Sequence, residues 1–169
     1  MKYNFGCGRQ KLAGYVGVDI VEMPTVEIVC DFNIFPYPMA DSSAEEILMD
    51  NVLEHLNEPM KVLEEVFRIL KPGAIVKIFV PNCKSNSAFT DPTHKHFFTE
   101  NSFKYFEKNN PLNFYTKAKF ELVKFNFIND RHETSLKHRL RKFIPGKKIL
   151  NYFLFNIYDE LYFELRCIK

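Results

Sequence analysis

Short apolar segments alternate with polar or glycine-bearing turns along most of the chain. Helix signals stand between several of these segments, which is the order that an α/β domain requires. The pattern predicts strands over residues 3–5, 15–20, 26–30, 46–49, 75–80, 120–127 and 161–168. The dense run at 75–80, rich in β-branched residues, is typical of a strand buried on both faces.

The clearest helix signal covers residues 59–70. Pro59 suits a first helical turn, and Lys71-Pro72-Gly73 is a stop signal. Between them, apolar residues recur at i, i+3, i+4 and i+7, namely Leu63, Val66, Phe67 and Leu70. A second helix is predicted over 100–109, and a third through the basic segment that follows it.

Composition indicates a single domain over residues 1–169. With 46% apolar residues in 169 positions, the chain can bury a sizeable core. A formal net charge of +2 does not predict a nucleic-acid partner, and no run of roughly eighteen apolar residues suggests a membrane span. The opening residues lack the regions of a signal peptide, so we expect a cytoplasmic protein.

The cysteines are far apart in sequence and form no CxxC pair: Cys7, Cys30, Cys83 and Cys167. This spacing indicates neither a zinc knuckle nor a disulfide framework. We therefore expect reduced thiols.

Charge is distributed unevenly. Residues 19–64 are mostly acidic, whereas positive charges crowd one later stretch: Arg131, Lys137, Arg139, Arg141, Lys142, Lys147 and Lys148. The stretch predicts either an anionic partner or a solvated helical surface. Aromatic residues follow it, and they are expected to pack against the sheet or, alternatively, to face a membrane or a partner: Tyr152, Phe153, Phe155, Tyr158, Tyr162 and Phe163.

A glycine turn and an acidic residue mark the candidate binding site. Gly6-Cys7-Gly8 follows the first strand directly, where the backbone must turn sharply and let a ligand approach closely. Asp19 ends the next strand, where a carboxylate is placed to accept hydrogen bonds from both hydroxyls of a ribose. This pair of features is shared by sites for dinucleotides and for adenosyl ligands.

The interval between Gly8 and Asp19 distinguishes these ligands. It has barely room for one helical turn, although a parallel crossover usually needs a dozen residues or more. A pyrophosphate needs a helix N-terminus and a third glycine, so NAD is disfavoured relative to a ligand without phosphates. S-adenosylmethionine is such a ligand, and Asp31-Phe32 after the third strand offers one polar and one apolar contact for its adenine.

At this point the chain resembles the class I S-adenosylmethionine-dependent methyltransferases, and within them the type 11 group with an abbreviated first crossover. The similarity covers about the first half of the chain and rests on several segments in the family's order: Asn4-Phe5-Gly6-Cys7-Gly8, Gly17-Val18-Asp19, Cys30-Asp31-Phe32, Asn51-Val52-Leu53-Glu54-His55-Leu56, Arg68-Ile69-Leu70-Lys71-Pro72-Gly73 and Val80-Pro81-Asn82. Two departures are Asn4, where the family often has an acidic residue, and the near absence of a first helix.

The resemblance implies a doubly wound, mostly parallel, seven-stranded Rossmann-like sheet whose last strand is antiparallel. It places S-adenosyl-L-methionine at the carboxyl ends of the strands. The cofactor-binding residues that it implies are Asn4, Gly6, Cys7, Gly8, Asp19, Ile20, Asp31, Phe32, Asn51 and Val52.

Histidines are the candidate catalytic residues. The resemblance puts acceptor-binding or catalytic histidines in residues 91–99, and in an extended backbone His94 and His96 would share a face. Either can serve as a base near neutral pH, contact the acceptor or make structural hydrogen bonds. A metal pair is disfavoured, because no third ligand beyond the speculative Cys83 or Asp91 is nearby. His55 either faces the cofactor or caps the turn before the next helix.

Acceptor recognition is expected from residues 82–117 and 130–158. These short inserts favour a small or sugar-like acceptor, as in polysaccharide or lipid-linked saccharide biosynthesis. The basic stretch and its aromatics suit a phosphorylated or lipid-linked sugar, with peripheral membrane contact through 131–158. The sequence does not indicate the attacking atom or the oligomeric state.

The alternatives to a methyltransferase are a non-catalytic S-adenosylmethionine-binding or assembly module and, less favoured, a nicotinamide-dependent oxidoreductase.

Overall fold

A computed structural model describes residues 1–129 and 143–169. Its strands are β1 (Lys2–Phe5), β2 (Val16–Asp19), β3 (Ile28–Val29), β4 (Ala44–Asp50), β5 (Leu70–Pro81), β6 (Phe120–Ile128) and β7 (Glu160–Cys167). They form one seven-stranded sheet in the order β3-β2-β1-β4-β5-β7-β6. All pairs are parallel except those of β7, which runs antiparallel to both β5 and β6. The predicted Rossmann-like methyltransferase sheet with an antiparallel last strand is confirmed.

The core lies on both faces of the central strands. Phe5, Ile47 and Ile78, on three neighbouring strands, have no solvent exposure. The helix α1 (Pro59–Ile69) has proline in its first turn and buries Val62, Leu63, Val66 and Ile69. That spacing follows the helical repeat, so one apolar stripe of α1 packs against the sheet.

The remaining helical elements of residues 1–129 and 143–169 are short. They are α2 (Ser87–Thr90), α3 (Lys147–Phe153) and the 3₁₀ turns Leu53–His55, Ser102–Phe106 and Asn113–Tyr115. No helix connects β1 to β2 within residues 6–15, so the abbreviated first crossover inferred from the sequence is what the structure has.

Several local expectations are wrong. The helix predicted over 100–109 is the 3₁₀ turn Ser102–Phe106, whose period of three buries both Phe103 and Phe106 on one side. The strand β5 begins at Leu70, not after the Lys71-Pro72-Gly73 stop, because Leu70 already pairs with Ala44. The ladder then breaks and resumes where Glu46 pairs with Ile75.

The C-terminal aromatic residues divide between the core and the surface. Phe163 is fully buried in β7, whereas Tyr152, Phe153 and Phe155 are 69%, 81% and 55% exposed. For these three, packing against the sheet is therefore wrong. Most of the predicted basic helix, including Arg131, Lys137, Arg139, Arg141 and Lys142, lies outside the described residues. No helix within 1–129 and 143–169 is long and apolar enough to cross a bilayer.

Candidate active site

The glycine turn after β1 folds back onto β2. The backbone N–H groups of Gly6 and Cys7 both donate to the carbonyl oxygen of Val18, at 2.8 and 3.2 Å. Gly6 and Gly8 have φ angles of +69° and +48°, a region that side chains with Cβ rarely adopt. A Cβ at Gly6 would lie 2.4 Å from Cγ2 of Val52. Glycine is thus required here both by backbone conformation and by close approach.

Asp19 points its carboxylate at this turn. Oδ2 accepts a hydrogen bond from the Gly8 N–H at 2.8 Å, and Oδ1 accepts one from the Val21 N–H at 3.2 Å. Thr25 holds the other side of the turn, because its hydroxyl donates to the Gly8 carbonyl at 2.6 Å. A carboxylate offers about four lone-pair directions, so Asp19 keeps acceptor capacity for a ligand hydroxyl.

A cavity of about 340 Å³ opens beside the turn, at the carboxyl ends of β1 and β4. We call it the glycine-turn cavity. Its lining residues are Asn4, Gly6, Cys7, Gly8, Arg9, Gln10, Asp50 and Asn51. Sequence reasoning missed Arg9, Gln10 and Asp50, although Arg9 and Gln10 directly follow the glycine turn and Asp50 ends a strand.

The other expected cofactor residues, Asp19 included, do not belong to the lining of this cavity. Val52 packs against Gly6, and the side chain of Ile20 is 57% exposed beside Asp19. Asp31 accepts hydrogen bonds from the backbone and side-chain amides of Asn33, at 2.8 and 3.1 Å. The ring of Phe32 is buried and stacks on Phe5 with centroids 4.8 Å apart. Phe32 therefore contributes to the core beneath Asp31.

The glycine-turn cavity suits an adenosyl ligand. The backbone can be approached closely at Gly8, where an added Cβ would meet nothing within 4 Å. A carboxylate stands at the end of the neighbouring strand, as a ribose requires. No helix begins at the turn to receive a pyrophosphate within the described chain. S-adenosylmethionine, which has no phosphate, fits this set of groups.

A second cavity of about 270 Å³ adjoins the first. We call it the acidic cavity, because carboxyl groups dominate its lining: Asn51, Glu54, His55, Pro81, Ser87, Asp91, His94, Asp159 and Glu160. No lysine or arginine belongs to this lining among the described residues. Asn51 lines both cavities; its φ is +53°, and its side-chain amide donates to Glu160 at 3.2 Å.

His55 lies in the 3₁₀ turn after β4 and is fixed by a chain of hydrogen bonds. Its Nδ1 is 2.9 Å from the Thr93 hydroxyl oxygen, and that hydroxyl donates to Asp91 at 2.7 Å. Because the hydroxyl proton is used for Asp91, Nδ1 must be the donor to Thr93. In the neutral ring, the lone pair is then on Nε2. Burial, followed by the neighbouring His94, lowers the pKa of His55 below its ordinary value of 6.5.

His94 is held in a matching way. Its Nδ1 lies 2.9 Å from the carbonyl oxygen of Ala88, which can only accept, so Nδ1 carries the proton. The rings of His55 and His94 meet edge to face with centroids 4.7 Å apart. Both rings thus offer an unprotonated Nε2 when neutral.

His96 does not share a face with His94. It lines a third, mostly apolar cavity of about 340 Å³ together with Met60 and Leu63. The segment is not free to align the two rings, because the N–H groups of Lys95 and His96 both donate to the Glu54 carbonyl, at 2.7 and 3.2 Å. The expected pairing of His94 with His96 is wrong, and His94 pairs with His55.

Glu54 is the residue that sequence reasoning quoted in a motif but did not place in the site. Its side chain has no solvent exposure, and neither carboxyl oxygen has a hydrogen-bond partner among the described residues. Burial, partly offset by the backbone N–H of Glu54 itself and reinforced by the nearby Asp50, Glu160 and Asp91, raises the pKa of Glu54 to about 8. Glu54, His55 and His94 each place one oxygen or nitrogen within 4.8 Å of the others.

Comparison with known proteins gives one family match and many structural matches. Residues 5–78 match the family model described as a methyltransferase domain, of type 11. A comparison with curated protein sequences gives no significant match.

The structural matches cover nearly all of the chain. A SAM-dependent methyltransferase from Archaeoglobus fulgidus superposes with a TM-score of 0.66 at 19% identity, over 98% of this chain and 85% of that one. A putative methyltransferase from Bacillus halodurans gives 0.62 at 14% identity, over 99% and 92%. The complex of the Haloferax volcanii methyltransferase activator Trm112 with a putative methyltransferase gives 0.62 at 12% identity, over 99% and 82%.

At these identities the structural matches establish the fold alone, and the family model adds a match over residues 5–78. The family match covers the glycine turn, Asp19, Asp31 and the segment from Asn51 to His55. The match over residues 5–78 and the shared fold together support an S-adenosylmethionine-dependent methyltransferase of the type 11 group.

Proposed function

We propose that this enzyme binds S-adenosylmethionine in the glycine-turn cavity and methylates a hydroxyl group of a small, sugar-like acceptor in the acidic cavity. One observation carries the proposal: Asn51 lines both cavities. Methyl transfer requires donor and acceptor to lie side by side, since alignment of the reacting atoms supplies most of the rate.

The cofactor contacts follow from the geometry of the turn. Asp19 would hold the ribose hydroxyls, and Gly6 and Gly8 let the ligand approach the backbone. Asn4, at the end of β1, would accept a hydrogen bond from the methionine amino group through its side-chain oxygen. When bound, S-adenosylmethionine supplies an electrophilic methyl group on a sulfonium centre.

The acidic cavity favours a neutral, hydroxyl-rich acceptor. Its carboxyl groups accept hydrogen bonds from sugar hydroxyls, whereas they would repel a phosphate placed among them. A phosphorylated or lipid-linked sugar would therefore enter with its ring first and leave the phosphate outside. The free Nε2 of His55 or His94 can accept the proton of the attacking hydroxyl, which O-methylation requires.

Exposed aromatic side chains beside the acidic cavity support a peripheral membrane role. Phe89 lies two residues after the cavity-lining Ser87. Its ring stacks on that of Phe97 with centroids 4.7 Å apart, and the centroid of the Phe155 ring is 6.5 Å away. Phe153 and Phe155 add exposed rings, and Lys147 and Lys148 begin the helix α3 that ends at Phe153. Aromatic and basic side chains together are typical of surfaces that meet anionic lipid.

Calorimetric titration with S-adenosylhomocysteine, beside NAD, tests the cofactor site. We expect binding of the first ligand only, and a loss of about tenfold or more in Asp19→Ala, since charge-assisted hydrogen bonds contribute about 1.5–3 kcal/mol. Glu121→Ala is the matched control, because Glu121 is an exposed carboxylate on β6 that pairs with Arg166. Binding of NAD, or equal affinities in all three proteins, would contradict the proposal.

An acceptor screen tests the reaction. Monosaccharides, sugar phosphates and lipid-linked sugars are incubated with the enzyme and S-adenosylmethionine, and methylated products are identified by mass spectrometry. We expect O-methylation of at least one sugar and its loss in the double variant His55→Ala/His94→Ala. Cofactor binding without turnover of any sugar would favour a non-catalytic binding module instead.

Sedimentation with vesicles tests the membrane contact. We expect the protein to bind vesicles rich in anionic phospholipid more strongly than zwitterionic ones, and Phe153→Ser/Phe155→Ser to weaken that binding. Phe114→Ser is the control, because Phe114 is 73% exposed but belongs to a different surface segment. Equal weakening by both variants would contradict a specific contact through 131–158.

A further inference from the structure

We infer that Glu54, His55 and His94 form a binding site for a divalent first-row transition-metal ion at the base of the acidic cavity. The three side chains come from two segments far apart in sequence, the turn after β4 and the loop after α2. Each offers one ligand atom, and these atoms lie within 4.8 Å of one another.

The buried carboxylate is the first argument. Glu54 has no solvent exposure, and neither of its oxygens has a partner in the described part of the chain. A buried polar group without a partner costs about 1–3 kcal/mol, and more when charged. Buried charges in proteins are normally paired or coordinate metals. No lysine or arginine lines the cavity within the described residues, so no side-chain cation there would balance a charge on Glu54, whereas a bound metal ion would.

The histidine tautomers are the second argument. Hydrogen bonds on Nδ1 of His55 and His94, to Thr93 and to the Ala88 carbonyl, leave Nε2 of each ring as the free ligand atom. Metal-bound histidines typically donate their other ring N–H to a carbonyl, carboxylate or similar acceptor, which fixes tautomer and ring orientation. Both rings have this support here, and for His55 it continues through Thr93 to Asp91.

The ligand types indicate the class of ion. Two imidazoles and one carboxylate suit Zn²⁺, Fe²⁺, Co²⁺ or Ni²⁺, whereas Mg²⁺ and Ca²⁺ prefer sites made of oxygen atoms. Ligands around zinc lie about 3.4 Å apart at bond lengths near 2.1 Å, so side-chain adjustments of about 1 Å close the site. Three protein ligands also leave at least one coordination position open.

Glu54, His55 and His94 all line the acidic cavity, so an open position on the ion would be reached from the space where an acceptor hydroxyl would lie. Coordination of that hydroxyl would orient its oxygen and stabilise negative charge on it. This role rests on the proposed function and would replace proton acceptance by His55 or His94, because an Nε2 atom that binds the ion has no lone pair for a proton. Metal binding itself does not rest on the proposed function.

Titration of metal-free, untagged enzyme with Co²⁺, followed by visible absorption and by competition with Zn²⁺, tests the site. We expect one high-affinity equivalent, and at least about 100-fold weaker binding in Glu54→Gln and in His94→Ala, since loss of even a supporting group costs 10–100-fold. Circular dichroism and thermal unfolding confirm that each variant is folded.

Two controls separate this site from chance binding by other histidines. His96→Ala removes the histidine of the apolar cavity, and His132→Ala/His138→Ala removes the pair that lies outside the described residues. Both are expected to bind Co²⁺ like the unaltered enzyme. Absence of saturable binding, or an affinity in Glu54→Gln equal to that of the controls, would overturn the inference.

The titration needs neither cofactor nor acceptor, so its failure and the failure of the proposed function are distinguishable. Saturable Co²⁺ binding that depends on Glu54, without methylation of any sugar, would support the metal site and contradict the proposed acceptor. Methylation that is unchanged in Glu54→Gln and in metal-free enzyme would support the proposed reaction and contradict a role of the metal ion in it, whereas the metal site itself is decided by the Co²⁺ titration.

Discussion

The Nδ1 atom of His55 lies 2.9 Å from the hydroxyl oxygen of Thr93, and this contact joins the turn after β4 to the loop that carries His94. The Thr93 hydroxyl donates onward to Asp91, so its position is set from both sides. The consequence is chemical, because the hydrogen bond decides which nitrogen of His55 faces the acidic cavity.

We expect Thr93→Val to release His55 from this tautomer. In the unaltered enzyme, ¹⁵N chemical shifts should show the proton of the neutral ring on Nδ1, and in Thr93→Val they should show a mixture. Co²⁺ affinity should fall about 10–100-fold in the same variant. Thr93→Ser keeps the hydroxyl and should behave like the unaltered enzyme; equal shifts in Val and Ser variants would argue against the hydrogen-bond chain.

Gly6 should tolerate no side chain. An alanine there combines a φ of +69° with a Cβ 2.4 Å from Cγ2 of Val52, so we expect Gly6→Ala to lower the unfolding free energy by about 2–4 kcal/mol. Gly14→Ala is the matched control: its φ is +81°, but nothing lies within 4 Å, so its cost should be about 1 kcal/mol. Denaturant unfolding measures both.

The clash can be tested separately from the backbone strain. In a double-mutant cycle, Val52→Ala should recover part of the cost of Gly6→Ala, because it removes the atoms that the new Cβ meets. Strict additivity of the two substitutions would show that contact with Val52 is not the cause.

Glu65 should make stability depend on acid pH. It accepts hydrogen bonds from Arg68 at 2.7 and 2.9 Å and from the Tyr37 N–H at 2.7 Å. The Arg68 hydrogen bonds hold the pKa of Glu65 below its ordinary value of 4.5, despite partial burial. A lowered carboxyl pKa stabilises the fold above the unfolded value, and that stabilisation is lost as pH falls through the folded value.

Glu65→Gln should therefore lower the unfolding free energy by about 1–3 kcal/mol at neutral pH. The difference from the unaltered enzyme should shrink below pH 4.5, which unfolding curves between neutral and acid pH would measure. Glu121→Gln, on the exposed pair with Arg166, should show little difference at any pH. A gap for Glu65→Gln that grows on acidification would contradict the assignment.

Glu54 and Glu65 should respond to replacement in opposite directions. Glu54→Met removes a buried carboxyl group without a partner, so we expect the metal-free enzyme to gain about 1–3 kcal/mol of unfolding free energy. Glu65→Met removes a well-bonded carboxylate and should destabilise. A loss of stability in Glu54→Met would mean that Glu54 has a stabilising partner in the metal-free protein. Such gains at a functional position commonly accompany lost function.

The sequence alone predicted the succession of strands along the chain, the main helix and the resemblance to methyltransferases. These depend on local patterns: apolar runs of strand length, the helical repeat of Leu63, Val66 and Phe67, and glycines where the backbone must turn. It also placed Gly8 and Asp19 on consecutive elements, because neighbouring parallel strands end at the same edge of a sheet.

Only the tertiary structure decided which histidines meet. His94 and His96 are two residues apart in sequence, yet the His94 ring packs against His55. The Glu54 carbonyl accepts hydrogen bonds from the backbone of Lys95 and His96, and the Ala88 carbonyl holds the His94 ring. These contacts fix the loop beside the turn after β4. The buried state of Glu54 and the position of Asn51 between two cavities likewise depend on packing of separate segments. A one-dimensional pattern records which side chains a strand or turn contains, whereas the partners of a side chain are set by what else the fold brings beside it.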